Sequence, residues 1–484
     1  MNRRKFLAAS AVSVATASGL LECPLLYAAG SGPVRQDVTA AAAAGDLAKY
    51  ASAVAKMKAL PSTDPRNWTR QAQIHLNNCP HTNWWFLPWH RAYLYYFELV
   101  CQDILGDSSF RLPYWNWSRG NTVPAPFLIQ SSALWDGRAQ TTIPPETVSS
   151  GLIEGLVASG NQLQFFSGAT SSDQQREAST TGTLEGTPHN TVHATLGDGS
   201  DDMGNFMSPL DPIFWLHHCN LDRIWASWSM VSGHAQPTNA LWNNHKLSTY
   251  YDPQTKKEVT PVVSAMPSGP FLVGYDSYVT VRGQRPLRAN LNDFVMNTQS
   301  LSIASLADQP LAAAHLQKLT GLVLPTSGIS VGSGANFSMA VSGRLQSFVE
   351  PSTQAPTNAM AAAITQESFL LIENVPRPAD PTTSLRVFLN CQTPTAETPT
   401  SDKSYVGTVS FFGGHAGMPG MPSTTTFALS LSDALSRTIN NDYAPNAPLE
   451  VGIVAVDLSN PNRVSTTEIV RPARLRVVAL AEKL

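Results

Sequence analysis

Charge, cysteine and long apolar runs are all scarce in this 484-residue chain, and each scarcity removes a class of function. Asp, Glu, Lys and Arg make up 14% of the residues, against roughly 25% in an average globular protein. The formal net charge is -3, and no Lys/Arg block occurs beyond the first few residues. A nucleic acid or an anionic membrane surface therefore finds nothing to bind electrostatically, which leaves small, weakly charged ligands. Five cysteines are no disulfide framework at this length. Cys101, Cys219 and Cys391 stand in apolar surroundings and read as small core residues. Past the N-terminus no apolar stretch approaches the roughly 18 residues that cross a bilayer, and no repeat of fixed period is present.

Hydrophobic residues make up 43% and aromatics 8%, enough for a sizeable interior. The length favours two domains over one. Asn2-Arg3-Arg4-Lys5-Phe6-Leu7 leads into an Ala/Ser-rich run over 8–21. That is similar to a twin-arginine export signal, assigned to residues 1–29, and implies a periplasmic or secreted protein exported already folded. Ala15-Thr16-Ala17 and the region of Ala28-Ala29 both fit a cleavage site.

Apolar residues recur at helical spacing from about residue 46 to 232. Leu47, Tyr50, Ala51, Val54 and Met57 mark one helix, residues 93–105 a second and 212–228 a third. Asp211-Pro212 is a good helix start, a capping carboxylate followed by a proline whose missing N–H costs nothing there. Beyond about residue 290 the character changes. Segments 337–341, 368–372, 385–389, 406–411 and 449–456 are short and rich in branched residues, with turn clusters at 390–402 and 413–422. This predicts a mainly α domain over 46–290, a connector over 291–330 with a helical piece at 306–319, and a β-sandwich over 331–484.

Seven of the eleven histidines fall in two groups. His75, His81 and His90 form the first. His189 and His193, with His217-His218 downstream, form the second. His189 and His193 are four apart, so on a helix both imidazoles leave one face and can meet one ion. His217 and His218 diverge by about 100° around a helix, so only one of the two points into a given site. Each group thus supplies three imidazoles, and an all-imidazole site suits copper, and zinc less exclusively. Burying so many rings among Trp and Phe without a metal would strand ring nitrogens. His234, His245 and His315, standing alone, read as surface or hydrogen-bonded residues.

Asp211-Pro212-Ile213-Phe214-Trp215-Leu216-His217-His218-Cys219-Asn220-Leu221-Asp222-Arg223-Ile224-Trp225 resembles the copper-B signature of tyrosinases and catechol oxidases. His81-Thr82-Asn83-Trp84-Trp85-Phe86-Leu87-Pro88-Trp89-His90-Arg91-Ala92-Tyr93-Leu94 resembles their copper-A signature. Phe369-Leu370-Leu371-Ile372-Glu373 and Gly407-Thr408-Val409-Ser410-Phe411 are more weakly similar to the shielding domain of plant-type polyphenol oxidases. The resemblance implies an exported bacterial member of the type-3 dicopper family, with a four-helix bundle around two copper ions and a β-sandwich shielding domain. It implies His75, His81 and His90 as copper-A ligands and His189, His193 and His218 as copper-B ligands, with His218 preferred over His217. Cys79, two residues before His81, is placed as in members that form a thioether to that histidine ring, which would lock its orientation. Glu185 and Asn190 stand where the family holds a water that takes the phenolic proton; phenol pKa is near ~10, so a positioned base matters at neutral pH.

Asn205, Phe206 and Met207 lie 13 to 11 positions before His218, where plant-type members set a bulky aromatic over the site. The sequence is one residue shorter there, and Phe206 is named as the gate. The loop 411–421, with Phe412, His415, Met418 and Met421 among its glycines, is the candidate plug of a latent proenzyme. Small phenols and O2 are the implied partners, with neither nucleic acid nor, after export, a membrane; the oligomeric state is not legible. Two other readings stand beside a tyrosinase: a catechol oxidase lacking phenol hydroxylation, and a haemocyanin-like oxygen carrier, whose arrayed repeats are absent. A blue multicopper oxidase needs His-x-His pairs and a His-Cys-His segment, and neither occurs.

Overall fold

The computed structural model describes residues 34–197, 203–281, 316–339, 368–413, 423–431, 433–435, 437, 448–460 and 462–480. Among these residues eight α-helices lie in the N-terminal part: α1 (Ala44–Ala59), α2 (Trp68–Asn78), α3 (Phe86–Leu105), α4 (Ser150–Ala158), α5 (Gln162–Phe166), α6 (Asn190–Leu196), α7 (Ile213–Ser229) and α8 (Ala240–Asn244). The caps follow from the sequence. Asn67 accepts from the Thr69 and Arg70 amides at the start of α2, and Asp211 Oδ1 accepts from the Ile213 amide at the start of α7. Helix α3 begins earlier than the apolar spacing suggests, because Pro88 is tolerated in a first turn; it ends on Gly106 at φ 66°.

Every residue of α7 is buried, as is the first half of α3. Their aromatic side chains build the core: Phe97 stacks on Trp215 with centroids 3.3 Å apart, and Trp68, Trp89 and Tyr93 pack around them. Charge enters this core in bonded form, as in the pair of Arg138 with Asp211 and in a larger network around Asp222. Asp222 accepts from Arg91 Nε at 2.5 Å, from Tyr275 Oη at 2.6 Å and from Arg35 Nη1 at 3.2 Å. Arg35 Nε also donates to Glu98 at 3.0 Å. The network ties the first described residues and the 275 loop to α3 and α7, which accounts for Asp222 and Arg91 in the two histidine-bearing motifs.

The described residues also form thirteen strands: β1 (Thr180–Thr181), β2 (Tyr250–Asp252), β3 (Lys257–Val259), β4 (Leu316–Val323), β5 (Ile329–Val331), β6 (Gly334–Met339), β7 (Ser368–Pro376), β8 (Thr383–Leu389), β9 (Tyr405–Ser410), β10 (Thr424–Ser430), β11 (Leu449–Asp457), β12 (Ser465–Val470) and β13 (Arg474–Leu480). One sheet runs β1-β10-β7-β13-β4 and the other β6-β11-β8-β9. Their inner faces share a core of Leu370, Ile372, Val387, Ile453, Leu475 and others. The chain is thus a helical domain followed by a β-sandwich domain, as the sequence predicts.

Two expectations change. The segment 316–330 is not connector: β4 lies inside it and pairs antiparallel with β13 from Leu316↔Leu480 to Val323↔Arg474. The helical piece expected over 306–319 is therefore extended from Leu316 onward; its Leu-x-x-Leu spacing also fits a helix, and the partner strand decides. Residues 306–315 lie outside the described residues, as do the expected signal at 1–29 and His315. The second change is that the domains share a sheet, since β1 from the helical domain pairs parallel with β10, Thr180↔Thr426 and Thr181↔Phe427.

Asp222→Ala would leave Arg35 and Arg91 buried without their carboxylate, a loss on the order of 3–5 kcal/mol. Urea unfolding followed by tryptophan fluorescence should show it; a change below about 1 kcal/mol would mean the network is dispensable.

Candidate metal centre

Four helical segments and one loop carry the histidines inward. His75 comes from α2, His90 from α3, His193 from α6, and His217 and His218 from α7; His81 sits on the α2–α3 loop. His189 ends a π-helical turn, Glu185–His189, whose wide register accommodates Pro188 and is marked by the Asn190 amide donating five residues back to Glu185 O. All seven rings are buried, His81 the most exposed at 5%. Ring centroids in the set His75, His81, His90 are 5.5 to 5.7 Å apart. In the set His189, His193, His218 they are 4.6 to 5.7 Å apart. The sets face each other, with His90 stacked on His218 at 4.3 Å and His81 on His189 at 5.3 Å.

The hydrogen bonds fix which nitrogen of each ring is free. Carbonyls only accept, so His75 Nδ1 donates to Phe206 O at 2.8 Å, His90 Nδ1 to Phe86 O at 2.8 Å and His193 Nδ1 to Met203 O at 2.9 Å. Asn190 Nδ2 donates to Ser410 O, so its Oδ1 must be the atom that accepts from His189 Nδ1 at 2.8 Å. His81 Nδ1 donates to Glu185 Oε1 at 3.2 Å. In all five, the Nε2 lone pair is left facing inward, and Nε2 of His75, His81, His90 and His189 is buried without a protein partner. His193 Nε2 lies 3.5 Å from His218 Nε2. Buried nitrogen lone pairs gathered this way lack the donors such atoms require, and metal cations satisfy them. The two sets fit two copper ions.

His217 is held in the opposite sense. The Trp117 indole N–H, a donor only, gives its hydrogen to His217 Nδ1 at 3.1 Å. A neutral His217 then carries its proton on Nε2 and has no lone pair to offer there, although the ring stands beside the other three. The Cys79 thiol lies within 4.8 Å of a ring nitrogen of both His75 and His81; burial pushes it up to about 12.

Glu185 is buried beside His81, accepting from the Thr82 amide at 2.6 Å on Oε1 and from Ser167 Oγ at 2.7 Å on Oε2. Burial raises its pKa to about 7, opposed by those two hydrogen bonds and by the charge of Arg377. With His81 it has three donors, so one of the roughly four lone-pair sites of a carboxylate remains. Asn190 keeps one amide hydrogen.

The β-sandwich closes the centre. Strand β9 lies against the π turn and α6: Thr187 Oγ1 donates to Thr408 O, Asn190 Nδ2 to Ser410 O, and the Thr191 and Ser410 hydroxyls share a hydrogen bond. The chain then turns inward, and Phe412 projects between the histidine sets, its ring 4.4 Å from His193, 4.5 Å from His81 and 4.9 Å from Phe206. Gly413, at φ 82°, must be glycine, since a Cβ would lie 2.2 Å from the Phe206 ring. Arg377 donates to the Phe412 carbonyl. The structure thus brings the expected plug loop to the site through Phe412; His415, Met418 and Met421 lie outside the described residues. Phe206, named from its offset, is at the centre as well. Trp117, Ser167 and Arg377 were not foreseen, because each reaches the site through tertiary packing and none stands in a histidine motif.

A family model, the common central domain of tyrosinase, matches residues 53–151 and 129–231. The chain is 32% identical over 267 residues to (+)-larreatricin hydroxylase of Larrea tridentata, covering 46% of each chain. It is 33% identical over 231 residues to the latent form of polyphenol oxidase from Prunus armeniaca, 39% of each. It therefore spans less than half the length of these curated relatives. The structure of latent apple tyrosinase superposes with a TM-score of 0.65 at 23% identity, over 94% of this chain and 98% of that one, a likeness of fold.

Burial holds His75, His81, His189, His217 and His218 well below the usual histidine pKa, and takes His90 and His193 down to about 3. The unfolded chain therefore binds more protons below pH ~6.5, and stability is lost as pH falls through that value. Glu185 and Asp211 oppose this up to about 7 and about 6, two groups against seven. The urea midpoint of the metal-free chain should drop from pH 7.5 to 5.5, and a level or rising midpoint would show the imidazoles exposed.

Proposed function

We propose that this chain, whose helical domain belongs to the tyrosinase and polyphenol oxidase family, is a dicopper oxidase that ortho-hydroxylates monophenols and oxidises o-diphenols to o-quinones. The observation that carries it is the set of inward imidazole lone pairs, each fixed by a donor bond from the ring's other nitrogen. His75, His81 and His90 would hold one copper, and His189, His193 and His218 the other. The Trp117 bond supports His218 over His217. Copper bound there would supply dioxygen binding, the transfer of an oxygen atom to the ring and the removal of electrons from it.

The chain's own residues supply a place for the phenol and a route for its proton. Phe206 walls the cavity that Phe412 fills, and an aromatic substrate in that space would meet the Phe206 ring and the imidazole edges. Glu185 would take the phenolic proton on Oε2, through the water that the family pattern places beside Asn190. Its raised pKa narrows the gap to a phenol near ~10. Cys79 would close a thioether to His81 during maturation, with loss of two protons and two electrons to dioxygen as the oxidant. Its thiol is within reach of that ring.

A catechol oxidase is the second reading, favoured by the three donors that already occupy Glu185. Among the described residues no helix is long and apolar enough to cross a membrane. Export by residues 1–29 accords with the Arg3-Arg4 pair; the N-terminus of protein recovered outside the cell tests it.

Oxygen uptake by the copper-loaded chain, cut after the helical domain, should proceed with a monophenol and with its catechol. Catechol alone would make it a catechol oxidase, and neither would leave an oxygen carrier. Metal analysis should give two coppers per chain, two in His217→Ala and about one in His218→Ala; equal loss in both variants would undo the ligand assignment. Alkylation of Cys79 on unfolding the copper-loaded protein would show a free thiol and overturn the thioether.

The uncut chain should be nearly silent, and Phe412→Ala should raise its diphenol oxidation by at least about tenfold, the effect of freeing an occupied site. If that variant stays silent while clipping activates it, something other than this ring blocks the centre.

A further inference from the structure

Strained backbone gathers around Glu185. Among the described residues, five that are not glycine take positive φ: Thr82, Ser167, Lys256, Asn374 and Asn390. Asparagine tolerates that region, and Lys256 stands in the β2–β3 turn. Thr82 and Ser167 have no such excuse. Thr82 is β-branched at φ 64°. Ser167 has φ 70° and ψ 179°, a combination that is essentially reserved for glycine. Both are bonded to the same carboxylate, Thr82 through its amide to Oε1 and Ser167 through its hydroxyl to Oε2.

The surroundings hold Ser167 in place from several directions. Its amide donates to Leu163 O at the end of α5, and the next residue, Gly168, donates to Thr180 O and accepts from the Trp84 amide. Ser167 Oγ also accepts from the Gly182 amide at 2.9 Å. Gly182 is wedged so tightly that a Cβ would lie 2.2 Å from Leu163 O. Three separate loops therefore meet at one serine, which keeps a backbone that glycine would adopt freely. Over glycine, serine adds the hydroxyl, which accepts from the Gly182 amide and donates to Glu185.

We propose that Ser167 is a positioning residue for monophenol hydroxylation, its hydroxyl fixing the Glu185 carboxylate so that the open lone pair of Oε2 faces the phenolic proton. The inference rests on Glu185 as the proton acceptor. Without the hydroxyl, Oε2 loses the donor that Ser167 supplies and the carboxylate turns about its last bond, held on Oε1 by Thr82 and His81. A small misplacement of a reacting group is costly in rate.

The test uses the copper-loaded full chain, activated by limited proteolysis, as wild type, Ser167→Gly, Ser167→Ala, Glu185→Gln and the double variant Ser167→Gly with Glu185→Gln. Ser167→Gly and Ser167→Ala should each lower the ratio of monophenol to diphenol turnover by about ten- to a hundredfold, with two coppers retained. Ser167→Gly should also raise the thermal midpoint of the metal-free chain above that of Ser167→Ala, because glycine relaxes the backbone. In the Glu185→Gln background the serine change should add nothing. If Glu185→Gln lowers the ratio and neither serine variant does, the inference on Ser167 fails alone. A loss in Ser167→Ala that Ser167→Gly restores would assign the serine to backbone geometry only, and also overturns it. If Glu185→Gln leaves the ratio unchanged, the proton-acceptor reading fails and takes the inference with it.

Discussion

The structure depends on one constraint: five of the inward imidazoles are gripped by their outer nitrogen, so that the inner lone pair is aimed before any metal arrives. Three of the grips are backbone carbonyls, Phe206, Phe86 and Met203. A carbonyl cannot donate, so it admits one tautomer only. Phe86 is one turn before His90, and so that grip is local to α3. Phe206 and Met203 lie on the segment between α6 and α7, which must fold back over α2 and α6 to reach the rings. The short stretch around 203–206 therefore sets one ring in each half of the centre, and Phe206 adds the wall between them. Where the grip is reversed, at His217, the proton sits on Nε2, although the ring stands beside His189, His193 and His218. Ring position does not separate His217 from His218; the Trp117 bond does.

This explains what was legible in the sequence. The histidine groups, their helical spacing and the Asp211 helix start are local, and the structure brings the seven rings together as the spacing suggests. The continuous apolar run Phe369-Leu370-Leu371-Ile372 was legible as a strand, and the reason is now visible. Leu370 and Ile372 face the sandwich core, while Phe369 and Leu371 face Leu163 of the helical domain. Strand β4 was not legible, since its Leu-x-x-Leu spacing fits a helix as well and only pairing with β13 makes it extended. Nor was β1: two threonines carry no strand signal, and they become one by lying against β10. The parts of the centre that the sequence did not yield share this origin. Ser167, Trp117 and Arg377 are 18, 100 and 35 residues from their partners Glu185, His217 and Phe412, and none belongs to a periodic pattern.

The contacts of the β-sandwich with the centre divide into two kinds, and the division bears on how a closed centre opens without falling apart. Towards the π turn and α6 the contacts are mostly polar: hydroxyls of Thr187 and Thr191 and the amide of Asn190 face β9. Water can replace each partner, so withdrawal of β9 strands no buried donor. From the helical side, Leu163 and Ala194 join the apolar clusters of the outer sheet faces. Phe412 is the exception, since it belongs to the helical core and leaves a ring-sized space behind. The imidazole grips at Phe206, Phe86 and Met203 come entirely from the helical domain, as do those at Asn190 and Glu185. Removing the sandwich therefore takes away a ring and a set of exchangeable hydrogen bonds, while the aim of the lone pairs persists. A site whose geometry belonged wholly to its cover would lose its aim on opening; here the cover supplies one ring and the Ser410 bond on Asn190, and the other grips stay with the helical domain.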